Sequence, residues 1–378
     1  MMNFLVPEDL MIEILVCLPV KSIVRFRCVS KTWCNMVKSP SFINHHLRNQ
    51  RRRNVLLVRR CLLPPPQYDD VLSFHDPNSP ELEEVCPNLS IPFLKDLRMG
   101  KPGSCTYNPN NIRILGGCNG LVCIFYINFV VILCNPALRE FKMLPPFPLD
   151  SAYYPSRIGF GITACTNDFK VVLLLQSRDE YCKSPYTVNM YSSSTSSWKQ
   201  IHIAPTTQVG HMEMWSELFF NGVCHWPATR SPKFERAILC FDLSTEVLGW
   251  LEYPDISYER SKWSRLMVMN ECFAVVWLNL FGRAITTEIW VMKEYGVRES
   301  WTKQFSIQSF TDIRFSPFLP WKNDQWMLLL ESGDVDPSGQ LVSCSFHSNE
   351  IKKYRVYGEK GTLKPLIYQE SLISLDKF

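Results

Sequence analysis

Near the start of the chain, apolar positions recur every three or four residues, at Leu10, Met11, Ile14, Leu15 and Leu18. This is the spacing of one helical face. Pro7 suits a first helical turn, where its missing N–H costs nothing. Glu8 and Asp9 suit the positive helix end, and Pro19 stops the run. Ser22 is expected to cap a second short helix carrying Ile23 and Phe26, and Ser30 a third carrying Trp33, Met36 and Val37. Pro40-Ser41 opens a fourth, with Phe42, Ile43 and Leu47. So few short helices make a poor independent core. The pattern fits equally a helical cap on the next domain and a docking module whose apolar face is completed by another protein.

Beyond Asn54 the texture changes to short apolar or alternating runs between polar or Pro-containing turns. Examples are Leu121–Tyr126, Val130–Cys134, Lys170–Leu175, Thr187–Tyr191, Phe219–Trp226, Ala237–Phe241, Phe273–Trp277, Glu288–Met292 and Trp326–Leu330. Each predicts a strand. A unit of strand, polar turn and aromatic-led strand recurs, with the closing aromatics at Phe141, Trp198, Trp250, Trp301 and Tyr354. Their separations are 57, 52, 51 and 53 residues. A degraded sixth unit is expected at Val71–Glu83. A period near fifty is that of kelch-like β-propeller blades and favours a propeller of about six blades; the alternative is a β-sandwich, which gives no reason for such a period. The recurring tryptophans are expected to pack between blades.

Composition supports many short strands: 26 prolines outnumber 16 glycines, and 13% of residues are aromatic. The formal net charge of +4 is unevenly spread, with +8 in residues 1–60 and −4 in the remainder. The basic excess includes Arg51, Arg52, Arg53, Arg59 and Arg60, read as a solvated helix end rather than a phosphate-binding patch, so no nucleic acid partner is expected. The uncharged stretch from Ile114 to Leu138 has an apolar core of 14 residues, short of the ~20 that span a bilayer, and turn signals bracket it. No membrane association is expected. The first ten residues have no basic n-region or small-residue cleavage site, and the 15 cysteines form no Cys-x-x-Cys. They read as reduced, buried thiols of a cytoplasmic or nuclear protein.

No catalytic constellation stands out. There is no glycine-rich nucleotide fingerprint, phosphate loop, His-Glu-x-x-His or Gly-x-Ser-x-Gly. The 7 histidines make no zinc pattern with the cysteines. His45 and His46 are adjacent on a predicted helix and point to different faces, and His225 reads as a packed structural histidine. No metal, cofactor or catalytic residue is expected.

The N-terminal strings Val6-Pro7-Glu8-Asp9-Leu10, Glu13-Ile14-Leu15, Leu18-Pro19-Val20-Lys21-Ser22-Ile23, Arg25–Trp33 and Ser39-Pro40-Ser41-Phe42 closely resemble the F-box. Val6 stands where that family usually has Leu. The resemblance implies that Pro7, Leu10, Ile14, Leu15, Leu18, Pro19, Val20, Ile23 and Phe26 contact a Skp-type adaptor. Trp33 and Val29 fit either adaptor contact or internal packing. The later strings Cys118–Val122, Asn135-Pro136-Ala137-Leu138-Arg139-Glu140-Phe141, Thr166–Val172, Tyr191–Trp198, Phe220–Trp226, Ile238–Thr245 and Ile289–Trp301 resemble the plant F-box-associated domain. Within it they are closest to the S-locus F-box (SLF) proteins, although Ile158–Ile162 lacks the family's aromatic after the second glycine.

The resemblance implies a small all-α F-box head followed by an all-β substrate-binding domain. It implies a non-catalytic specificity subunit of an SCF-type E3 ubiquitin ligase, partnered by the adaptor and through it by cullin and RING proteins. At the SLF level it further implies an S-ribonuclease substrate in pollen self-incompatibility; the alternatives are a general plant F-box receptor for an unrelated protein target and a non-degradative scaffold that binds the adaptor. The expected boundaries are 1–50 for the head, 51–70 for a basic, Pro-rich linker and the start of the first blade, and 71–378 for the β domain. Candidate substrate loops are Arg178–Pro185, Ala204–Trp215, Thr229–Glu235 and Asp255–Trp263.

Overall fold

A computed structural model describes residues 7–50, 54–62, 69–91, 108, 111–126, 130–148, 150–163, 166, 168–179, 186–203, 209–213, 216–255, 262–279, 285–309, 319–320, 325–331, 338–345, 350–359 and 361–377. Four helices come first: α1 (Glu8–Val16), α2 (Val20–Phe26), α3 (Lys31–Lys38) and α4 (Pro40–Gln50). The hydroxyl of Ser30 accepts from the Trp33 N–H at 3.2 Å, so Ser30 caps α3 as its sequence position predicts. The second helix differs from expectation. Pro19, not Ser22, sits at its N-cap, and the fixed φ of proline places the chain for an immediate helical start at Val20.

Among the described residues, the remaining regular structure is β, apart from short 3₁₀ turns. The strands are β1 (Asn54–Cys61), β2 (Asp70–His75), β3 (Glu84–Ser90), β4 (Ile112–Cys118), β5 (Leu121–Tyr126), β6 (Val130–Asn135), β7 (Glu140–Met143), β8 (Tyr153–Ile162), β9 (Phe169–Ser177), β10 (Tyr186–Ser192), β11 (Ser197–Ile201), β12 (Val209–Met212), β13 (Leu218–Phe220), β14 (Val223–Arg230), β15 (Glu235–Asp242) and β16 (Leu248–Leu251). They continue with β17 (Lys262–Met269), β18 (Cys272–Asn279), β19 (Ile285–Met292), β20 (Trp301–Ser309), β21 (Leu319–Pro320), β22 (Gln325–Glu331), β23 (Ser338–Ser345), β24 (Ile351–Glu359) and β25 (Lys364–Gln369). Among the described residues they form six sheets: β4 to β7, β8 to β11, β12 to β16, β17 to β20, β21 to β24, and β25-β1-β2-β3. Small separate antiparallel sheets, five of four strands and one (β12 to β16) of five, are propeller blades, and a sandwich of two large sheets is set aside.

The sixth expected unit, Val71–Glu83, is completed from the far end of the sequence. β25 pairs antiparallel with β1, from Asn54↔Gln369 to Arg59↔Lys364, so the two ends of the chain share one sheet. β1 thus lies within the stretch read as linker and start of the first blade. Arg59 and Arg60 are the main correction. They lie in a buried strand, not on a solvated helix end. Arg59 donates to the Asp70 carboxylate and, at 3.1 Å, to the Thr362 carbonyl, and Arg60 pairs with Glu84. Arg51, Arg52 and Arg53 lie outside the described residues. Phe219–Trp226 also differs: it is a hairpin, β13 and β14 turning at Asn221-Gly222 with φ of 50° and 82°. Positive φ at both central residues matches the right-handed strand twist.

Two compact units divide the chain. The first comprises residues 1–144, 331–341 and 353–377, the second residues 145–330 and 342–352. In the first, Leu57, Leu72 and Phe74 pack with Ile112, Val122, Ile124 and Tyr368 in one core. In the second, β9 and β10 contribute Val172, Leu174 and Val188 to a core with Trp226 and Leu239, while Ile238, Phe273, Val275 and Trp277 form another. Strands covered on both faces read as unbroken apolar runs, which is why Leu121–Tyr126 is wholly buried.

The recurring aromatics occupy one structural position. Phe141, Trp198, Trp250, Trp301 and Tyr354 all fall in the last strand of their sheets, β7, β11, β16, β20 and β24. Two use the indole N–H to hold the chain approaching their own sheet. Trp198 donates to the Pro145 carbonyl at 2.8 Å and Trp301 to the Glu252 carbonyl at 3.0 Å. Large apolar area with one polar tip suits this task.

Candidate functional site

The helical head has two apolar faces, and only one is covered from within. Leu15, Val16, Val20, Ile23, Val37 and Phe42 form its core together with Leu372 from the far end of the chain, with Ala137 and Leu138 packed against it. Carbonyls at and just beyond the end of α1 are satisfied from α4, where the His46 ring donates to the Leu18 carbonyl at 2.9 Å. The Gln50 amide donates to the Val16 and Leu18 carbonyls at 3.3 and 3.1 Å. A carbonyl at a helix end has no partner within the helix, so these α4 side chains tie α4 to the end of α1 and the turn after it. Phe26 and Trp33 meet edge to face at 5.5 Å.

On the other side, Leu10 and Ile14 lie one helical turn apart and are 53% and 54% exposed, and Val29 is 61% exposed. Pro7 and Pro19 are exposed as well, and Leu18 and Phe26 are half-buried. Leu10 and Ile14 thus form an exposed apolar pair on one face of α1. Leu15, Val20 and Ile23 do not share that exposure. At 2%, 0% and 0% exposure they face the core, and side chains so enclosed have no surface to offer a second protein. Of the open pair at the α2–α3 corner, Val29 is free in solvent while Trp33 is partly packed.

Of the four candidate substrate loops, only Thr229–Glu235 is described throughout. It is the turn between β14 and β15, with Phe234 68% exposed. Ala204–Trp215 is not simply a loop, because it contains β12, whose Val209 and Met212 are buried. Residues 180–185, 204–208, 214–215 and 256–261 lie outside the described residues.

His225 is fully enclosed. Its Nδ1–H donates to the Leu218 carbonyl (3.3 Å), which leaves Nε2 to accept from the Tyr295 hydroxyl (2.7 Å). Burial pushes its pKa down to about 4, so the ring is neutral at physiological pH. Burial likewise raises the Cys240 thiol to about 12 and the Cys118 and Cys123 thiols further, which suppresses the nucleophilic thiolate. His45 lies 3.8 Å from Glu13, apart from the enclosed His46. Among the described residues no His, Cys, Asp and Glu group is arranged to hold a metal ion, and no helix is long and apolar enough to cross a membrane.

Local sequence reasoning missed the participation of the chain's end in the head. The Glu370 carboxylate accepts from the Val20 N–H at 3.3 Å, and the Gln369 amide donates to the Leu47 carbonyl. The separations, 350 and 322 residues, leave no periodic signal. The one available hint was that α2, with proline at its N-cap and no acidic residue in its first turn, lacks a local acceptor for its first N–H.

Residues 4–45 match the F-box domain family, and residues 88–374 match the family described as F-box associated beta propeller domain. F-box protein CPR1 of Arabidopsis thaliana is 26% identical over 380 residues, covering 93% of this chain and 84% of its own. F-box/kelch-repeat protein At3g23880 of the same plant is 26% identical over 330 residues, covering 86% and 85%. Among solved structures, an oligogalacturonate lyase from Vibrio parahaemolyticus is similar over 79% of this chain and 78% of its own. At 9% identity and a TM-score of 0.40, that likeness is too loose to argue from.

Proposed function

The chain belongs to the F-box proteins that carry an F-box associated beta propeller domain, and from that premise we propose that it is the substrate-recognition subunit of an SCF-type ubiquitin ligase. The observation that carries the reading is the exposed apolar pair Leu10 and Ile14 on α1, with Val29 also exposed, in a head whose core is filled by other side chains. A Skp-type adaptor would cover that pair together with Pro7 and Pro19, reach the half-buried Leu18 and Phe26, and be supported from behind by Leu15, Val20 and Ile23. Cullin and RING proteins would join through the adaptor. Transfer chemistry would belong to the RING-bound E2. This chain would contribute proximity, raising the effective concentration of a substrate lysine beside the charged E2 without supplying a nucleophile. Arg59 and Arg60, turned inward onto Asp70 and Glu84, support a protein partner over a nucleic acid.

The test is purification of the tagged full chain beside its Leu10→Asp/Ile14→Asp variant. Adaptor, cullin and RING subunits should accompany the first and be absent from the second. Adaptor capture equal in both would overturn the reading.

The finer proposal is that the substrate is a pistil S-ribonuclease and the role is pollen-side self-incompatibility. It rests on the SLF resemblance of Ile289–Trp301 and on the net −4 of residues 61–378, which suits a basic target. Affinity purification from pollen tubes with the proteasome inhibited decides it. Recovery of adaptor and cullin without any ribonuclease would remove this target and leave the ligase.

A further inference from the structure

The last residues before the C-terminus do more than end the chain. After β25 closes its sheet against β1, the segment Gln369–Leu375 passes between the helical head and the β6–β7 turn, touching both. Toward the head, Gln369 donates to the Leu47 carbonyl of α4, Glu370 accepts from the first N–H of α2, and Leu372 is 1% exposed within the head's own core. Toward the strands, the enclosed Asn135 donates through Nδ2 to the carbonyls of Ser371 (3.0 Å) and Ile373 (2.7 Å). Its Oδ1 accepts from the Ala137 and Leu138 N–H groups and from the Tyr368 hydroxyl. The Leu375 N–H then donates to Glu140 at 2.7 Å.

Asn135 thus spends its amide on both the segment and its own turn, and every hydrogen-bonding group so used is satisfied. A separate observation agrees. Gly120, in the β4–β5 turn at φ 77°, lies so close beneath the segment that a Cβ there would stand 2.1 Å from the Ser371 Cβ and 2.7 Å from the Gln369 carbonyl. Only glycine leaves room for the segment to lie flat.

We propose that Gln369–Leu375 is a clamp that fixes the angle of the head against the sheets β25-β1-β2-β3 and β4-β5-β6-β7, with Glu370 as a positioning residue for ubiquitin transfer. The physical requirement is plain. A tethered reactant gains effective concentration only if the tether holds it where the reacting groups meet. A freely swinging head would spread the E2 over many positions, whereas a head tied through α2, α4 and its own core presents one. The consequence for transfer rests on the ligase reading above; the clamp itself does not.

The experiment uses the full chain, with hydrogen exchange read by mass spectrometry and, in the reconstituted ligase, a map of the lysines that the complex modifies on this chain itself. Glu370→Ala should speed exchange at the start of α2 by about tenfold, the factor implied by losing one hydrogen bond to a charged acceptor. β1 and β25 should stay protected. Glu370→Gln, which keeps an acceptor oxygen, should restore the slow exchange. Gly120→Ala, outside both head and segment, should reproduce the effect by lifting the segment. Both Ala variants should still capture the adaptor yet modify a wider set of lysines. Unchanged exchange in the head of both would overturn the clamp, and a lysine map identical to wild type would overturn its positioning role. If the wild-type chain captures no adaptor, the ligase reading fails while the exchange result still decides the clamp.

Discussion

Shortening Leu10 and Ile14 to alanine separates binding from folding. Fully burying a Leu or Ile side chain is worth about 1.5–3 kcal/mol. With 53% and 54% of these two still open, covering the remainder yields about half of that each, and about 1.5–3 kcal/mol for the pair. At about 1.4 kcal/mol per decade, Leu10→Ala/Ile14→Ala should weaken adaptor binding about 10- to 150-fold. Alanine is the strongest helix former and neither side chain belongs to the core, so folding stability should move by no more than about 1 kcal/mol. Ile23→Ala is the opposite control. Its side chain is 0% exposed, so truncation should cost about 2–5 kcal/mol of stability. The assay is calorimetric titration of the purified full chain with a purified Skp-type adaptor, paired with urea unfolding of each variant. A double variant that folds normally and loses less than about threefold in affinity would refute the reasoning, because surface that is not covered on binding cannot contribute to it.

The buried pair at the closure of the first sheet gives a stability prediction. Arg59 and Asp70 are both 0% exposed, so Asp70→Ala should lose about 3–5 kcal/mol by stranding the guanidinium, while replacing both with apolar residues of similar volume should recover most of it in denaturant titrations. His225 predicts a pH slope. Its folded pKa near 4 lies below its unfolded value, so the unfolded chain takes up the proton first, and the stability present above about pH 6.5 is lost as pH falls toward 4. The loss attributable to this ring is about 3 kcal/mol, and urea midpoints at pH 7 and 4.5 should differ less in His225→Gln than in wild type. Gly222 in the β13–β14 turn has φ 82° and open space where a Cβ would stand. Gly222→Ala should therefore cost about 1–2 kcal/mol from backbone strain alone, read by thermal or urea unfolding.

Residue order alone specifies what repeats and what is local. Apolar spacing placed the helices, Ser30 as a cap, and the buried strands β5, β6, β9 and β10. The aromatics near a fifty-residue period marked the last strand of five sheets, because every blade must seal the same seam. The Asn135-Pro136 turn was legible, but its role as the anchor of the C-terminal segment was not. Packing, by contrast, chose which of two apolar faces on the head is filled. Leu10 and Leu15 are equally hydrophobic, and only the arrival of α4 and Leu372 separates the exposed one from the enclosed one. It also turned Arg59 from a solvated charge into an interior one, since its carboxylate and carbonyl partners stand on β2 and beside β25. Periodicity records the faces an element offers. The choice of what covers each face is made by contacts between residues as far apart as Val20 and Glu370, whose pairing depends on the whole chain having closed on itself.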